Sequence, residues 1–233
     1  MRASILIIAL FISHLTFAFR IEPMVADLQP LGRSSQLILR VTNTTEQPLS
    51  VAIASFDLLI NSQGKEELLV NDNDFLIIPL TATLAPGDSQ AVIVKYIGEP
   101  MLMASKSYRI EVKQLAVDFT GRSQPSIGVG YVFQTLYNVV PSKAQAQLVI
   151  KSKQQAADGV WKVKLENTGN KYIRLTKTQW IIEGPNDKLV LKEAELKDAL
   201  SSKFLLPHSS REVMLKMPAQ FNPQLSQLTV VQE

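Results

Sequence analysis

The chain has 233 residues, no cysteine and a formal charge of +3 at neutral pH. With 46% hydrophobic residues it is too apolar for intrinsic disorder, and without cysteine it is not a disulfide scaffold. So small a charge, with no Lys and Arg cluster resembling a phosphate-tracking stripe, argues against nucleic acid as a partner.

In chain order, the first feature is Arg2 followed by the apolar run Ile5 to Phe17 and then Ala18, the pattern of a cleaved secretory signal over residues 1–18. Its removal leaves 215 residues at a charge of +2, enough for one large or two small domains. No later stretch has the roughly 20 apolar residues of a membrane-spanning helix, so membrane insertion is not expected. An exported chain lacking disulfides has to be held by its hydrophobic cores.

Beyond the leader the apolar period is two almost throughout. Leu37, Leu39 and Val41 alternate with Ile38, Arg40 and Thr42; Val51 and Ile53, then Val92 and Val94, continue the pattern; Tyr108, Ile110 and Val112 alternate with Arg109, Glu111 and Lys113. These predict strands. Turn chemistry separates them at Asn43 to Pro48, Asn61 to Gly64, Pro86-Gly87-Asp88, Asp158-Gly159, Asn167 to Asn170 and Gly184-Pro185-Asn186. The one good helical stretch, Leu191 to Ser201, reads as a short connector. Many short strands about ten residues apart predict an all-β sandwich.

An internal repeat fixes the expected domain count. Residues 39–44 (Leu-Arg-Val-Thr-Asn-Thr) align with residues 163–168 (Val-Lys-Leu-Glu-Asn-Thr) at an offset of 124. Leu84, Pro86, Ser89, Val92 and Val94 align with Leu205, Pro207, Ser210, Val213 and Leu215 at 121. Two copies of one sandwich are expected, residues 19–141 and 142–233, meeting near Pro141-Ser142-Lys143.

The residues needed for most catalysis are missing. Past the leader there is one histidine, His208, so a zinc or copper site of His and Cys has no ligands and a serine triad has only that residue to use. There is no nucleophile elbow or phosphate-binding glycine loop. Asp72, Asn73 and Asp74 read as a polar turn rather than a calcium loop, and Glu66 and Glu67, being adjacent, point to opposite faces of a strand. Neither an enzyme nor a cofactor is expected.

The unusual element is the stretch 127–140, longer than the usual five or six residues of a strand. One face carries Ile127, Val129, Tyr131, Phe133, Thr135 and Tyr137, whereas the other opens with Gly128 and Gly130. Such a strand either closes its own sandwich or forms an exposed edge that lends its apolar row to another protein.

In order and spacing, Leu37-x-Leu-x-Val-x-Asn43, Phe75-Leu-Ile-Ile-Pro79, Leu84-x-Pro-Gly-x-x-Gln90-x-Val92, Ser107-Tyr-Arg-Ile and the long strand closing on Pro141 resemble the periplasmic chaperones of the chaperone/usher pathway. The resemblance implies two immunoglobulin-like β-sandwich domains in a boomerang arrangement, with pilus or fimbrial subunits and an outer-membrane usher as partners. It implies donor-strand complementation, in which the last strand of the first domain completes a subunit's sandwich, a mode known for this pathway. By position the donated row is Ile127, Val129, Tyr131, Phe133 and Thr135. Such chaperones anchor the subunit's C-terminal carboxylate through an arginine in the first strand and a lysine late in the donor strand. The corresponding positions here hold Asp27 and Leu136, which marks a divergent branch and moves the expected anchor to Arg109, with Lys113 second. A structural pilin or surface adhesin, and a carbohydrate-binding module, are the alternatives. An exposed apolar edge also leaves self-association of the free protein open.

Overall fold

A computed structural model describes residues 19–61, 64–117 and 130–232; the expected leader and the positions Ile127 and Val129 lie outside the described residues. The first half contains β1 (Arg20–Glu22), β2 (Val25–Leu28), β3 (Gln36–Thr42), β4 (Leu49–Ile60), β5 (Glu66–Val70) and β6 (Phe75–Ile78). It continues with β7 (Thr81–Leu84), β8 (Ser89–Tyr96), β9 (Lys106–Gln114), β10 (Val132–Gln134) and β11 (Leu136–Val139). The second half contains β12 (Leu148–Ala157), β13 (Val160–Asn167), β14 (Ile173–Arg174), β15 (Thr178–Glu183) and β16 (Lys188–Leu191). After helix α1 (Glu193–Ala199) come β17 (Phe204–Leu205), β18 (Ser209–Lys216) and β19 (Gln227–Gln232).

Alternation decides the faces. In β8 Val92, Val94 and Tyr96 are buried while Ala91, Ile93 and Lys95 are exposed, as a sheet with one wet face requires. The first domain packs the sheet β1-β3-β8-β6 on a second sheet ordered β2-β11-β9-β4-β5, to which β7 and β10 add on β4 and β9. Between them lie Leu39, Val41, Val92 and Val94 from one side and Tyr108, Ile110, Val112 and Tyr137 from the other, all fully buried. Each such side chain contributes roughly 1.5 to 3 kcal/mol of transfer free energy. A separate core in the second domain is built round Trp161, Trp180, Leu165 and Leu215, between β12-β13-β18 and β16-β15-β19. Burying an indole requires a partner for its N–H. Trp161 Nε1 donates to Phe221 O at 3.2 Å, and Trp180 Nε1 to Thr178 Oγ1 at 2.9 Å.

The repeat seen in the sequence is repeated in the bonding. Asn43 Nδ2 donates to Gln47 O (2.8 Å) and Ala85 O (3.1 Å), and its Oδ1 accepts from Thr45 N (3.0 Å). Asn167 Nδ2 donates to Lys171 O (2.7 Å) and Leu206 O (3.1 Å), and its Oδ1 accepts from Gly169 N (3.1 Å). These three partners of each Asn are displaced by the same 124 or 121 residues, and the register Leu39↔Val92 reappears as Val163↔Val213. A fully buried Asn tying a turn to a distant loop is needed twice because the corner is built twice. At Gly169 the second copy admits no side chain: a Cβ would stand 2.3 Å from Gln145 O.

The expected single long strand is two pieces. β10 and β11 keep one register on β9, with Phe133 opposite Val112 and Tyr137 opposite Tyr108. The ladder is interrupted at Thr135, whose hydroxyl takes the Ile110 N–H at 3.1 Å that its carbonyl would otherwise accept.

Candidate functional site

Beyond the break, β11 is covered on its far side by β2, which pairs with it in parallel from Leu136↔Val25 to Val139↔Leu28. Among the described residues nothing pairs with the far side of β10. In an antiparallel ladder alternate residues turn their N–H and C=O to opposite sides. Thr135 N donates toward β9, to Ile110 O at 3.0 Å, and Leu136 N donates away from it, to Met24 O at 2.8 Å. By the same alternation Val132 and Gln134 direct their backbone groups to the uncovered side. This is an open edge of the kind that accepts another chain.

The described members of the expected apolar row have three different environments. Tyr131 is 39% exposed at the start of the edge. Phe133 is turned inward, half-buried on the first core, with its ring edge-on to Phe19 at 4.7 Å. Thr135 is fully buried and held by Ile110, so in this conformation it offers no side chain to a partner. Inward orientation follows from sharing a face with Tyr137, which fills the core.

Arg109 and Lys113 do share a face, the one opposite Tyr108, Ile110 and Val112. Lys113 is exposed, and no ion pair to it occurs among the described residues. Arg109 reaches across β4 to Glu66 on β5, where Nη2 donates to Oε1 at 2.8 Å and Oε2 at 2.7 Å. Its Nη1 donates to Thr135 O (3.3 Å), the carbonyl freed by the strand break. Its Nε is buried without a partner. Glu111, on the same face of β9, accepts from Gln134 Nε2 at 2.8 Å.

Arg211 of the second domain reaches the β4–β5 turn that leads into Glu66. Arg211 is buried, donates to Ser202 Oγ and to Phe204 O (2.6 Å), and packs on the β4–β5 turn, where a Cβ on Gly64 would stand 3.3 Å from its Nε. Burial lowers its pKa, and the Glu66 carboxylate opposes that shift.

Asp27 is occupied by the domain junction. It accepts from Asn138 Nδ2 (3.0 Å) and from Tyr172 Oη of the second domain (2.7 and 2.8 Å). Tyr172 N donates to Ser105 Oγ (2.9 Å) and Asn170 Nδ2 to Met103 O (2.9 Å), so the junction is polar and directional. The sequence gives no signal for the Glu66 and Tyr172 contacts, since their partners are 43 and 145 residues away.

No protein-family model and no curated protein matches the sequence. Solved structures do match in shape. The class 5 fimbriae chaperone CfaA superposes with a TM-score of 0.58 over 93% of this chain and 100% of its own, at 15% identity. The fold is that of the fimbrial chaperones. A chain of the Salmonella enterica SafA pilin complex with the SafB chaperone gives 0.55 over 92% of this chain and 97% of that one, at 12% identity. A chain of the chaperone–tip subunit pre-assembly complex CsuC–CsuE, from archaic chaperone-usher pili of Acinetobacter baumannii, gives 0.54 over 84% and 89%, at 13% identity. Two immunoglobulin-like β-sandwich domains are thus the shared architecture.

Proposed function

We propose that the protein is a periplasmic chaperone that binds, folds and caps pilus or fimbrial subunits by donor-strand complementation and delivers them to an outer-membrane usher. Residues 1–18 act as the export signal, and residues 19–141 and 142–233 as the two domains. The uncovered edge of β10 carries the reading: backbone groups of Val132 and Gln134 aimed away from β9 suit strand addition. Fold likeness to chaperones, some from complexes with a pilin or a tip subunit, supports the same partner class.

In this role the edge hydrogen bonds set the alignment of the subunit strand. Of the row, Ile127, Val129 and the exposed Tyr131 supply most of the affinity, each one that becomes buried adding roughly 1.5 to 3 kcal/mol before association costs. Arg109 and Lys113 receive the subunit's terminal carboxylate. Folding of the subunit itself can drive release, so no nucleotide is needed.

Co-expression of the exported protein with a small pilin encoded beside its gene, in a Gram-negative host, tests this. A one-to-one periplasmic complex is expected. Tyr131→Asp should abolish it while leaving the fold intact, since this ring is exposed and a charge would enter an apolar groove. Arg109→Ala should lower the yield more than Lys113→Ala. Self-polymerisation without a partner would instead mark a pilin.

A further inference from the structure

The Arg109–Glu66 pair leaves part of the guanidinium unused. An arginine and a carboxylate fit best as a fork, two nitrogens to two oxygens. Here both Glu66 oxygens approach the single nitrogen Nη2, at 2.7 and 2.8 Å, and Nε is left buried with no acceptor. A carboxylate seated on Nε and Nη2 together would satisfy the donor that Glu66 leaves unpaired. Nη1 is tied to Thr135 O, at the break that ends the open edge of β10. The guanidinium therefore lies on the face of the sheet, beside the point where that edge ends.

We infer that Glu66 is a resident substitute for an incoming carboxylate at Arg109, displaced when a partner's terminal carboxylate arrives. This rests on the reading of Arg109 as the anchor. It adds a competitor built into the chain, which covers the cation while the site is empty. Glu66 belongs to β5, at the edge of its sheet, and its side chain is 43% exposed, so it can swing away without disturbing the core.

Acetate is a sufficient probe, and the Arg109 Nε–H resonance is a direct reporter. With the full-length mature protein, acetate should shift that resonance weakly in the wild type. In Glu66→Gln the apparent affinity should rise about five-fold, the equivalent of removing a partly exposed ion pair. Glu66→Asp, one methylene shorter, should lie between, and serves if the glutamine variant folds poorly. In Glu66→Gln with Arg109→Gln, the acetate-dependent shifts of neighbouring amides should vanish. Equal acetate response in the wild type and Glu66→Gln would overturn the proposal, as would shifts that survive the loss of Arg109. Failure to capture a pilin, with the acetate response as expected, would instead count against the chaperone reading alone.

Discussion

Tyr108 illustrates how single residues in this protein carry both packing and polarity. Its ring is edge-on to Phe75 at 4.9 Å inside the first core, and its hydroxyl donates to Asp74 Oδ2 at 2.7 Å. Burial, reinforced by the neighbouring carboxylate, pushes its pKa far above the ordinary phenol value of 10.0. Tyr137 and Tyr172 are raised as well, both chiefly by burial. A raised folded-state pKa means that these phenols keep their protons in the native state while the unfolded chain loses them. Their contribution to stability is complete below pH 10 and declines as pH rises above it. Each group adds a slope of about 1.4 kcal/mol per pH unit in that window. Denaturation midpoints between pH 9 and 11 should therefore fall with pH in the wild type and fall less steeply in Tyr108→Phe. Parallel slopes would show that Tyr108 ionises alike in both states.

At the scale of the element, β10 differs from its neighbours in having one free side. A proline removes a backbone donor and is tolerated only where that donor is unused within the sheet. Val132→Pro should change stability by less than about 0.5 kcal/mol, yet sharply reduce recovery of a pilin complex, because the lost N–H points outward. Phe133→Ala should behave differently, costing about 1 to 2 kcal/mol of stability, less than a fully buried Phe because the ring is only half-covered. Thermal unfolding alongside complex yield separates the two; a stable Phe133→Ala would mean that the contact with Phe19 contributes little. Alternation in the sequence assigned Phe133, Thr135 and Tyr137 to one face, and they share one. Alternation has no sign, however, and does not say whether that face meets the protein's own core or a partner. The break at Thr135 was hidden for a related reason, since a hydroxyl replacing a carbonyl as acceptor leaves no periodic trace.

In the whole molecule a chain of hydrogen bonds crosses between the two domains. Ser107 Oγ donates to Asn138 Oδ1 (2.8 Å), Asn138 to Asp27, and Tyr172 of the second domain to the same carboxylate. Tyr172→Phe keeps the ring stacked on Phe204, 5.1 Å away, and removes only the bond across the junction. The expected result is a loss of about 0.5 to 1.5 kcal/mol and a wider spread of domain orientations in small-angle scattering. An unchanged scattering profile would mean that the remaining junction bonds suffice.

The sequence by itself determined the strands, the all-β class and the repeat, down to the offsets at which two buried asparagines find equivalent partners. These are properties of local pattern: a pleat has period two, a turn needs particular residues, and a duplicated corner keeps its spacing. Tertiary structure alone decided that Glu66 rather than Glu111 meets Arg109, that Asp27 meets Tyr172, and which edge is left uncovered. Those outcomes depend on which strands become neighbours across the sheet and which loops meet between domains, and charges far apart in the chain are selected by that geometry rather than by their spacing.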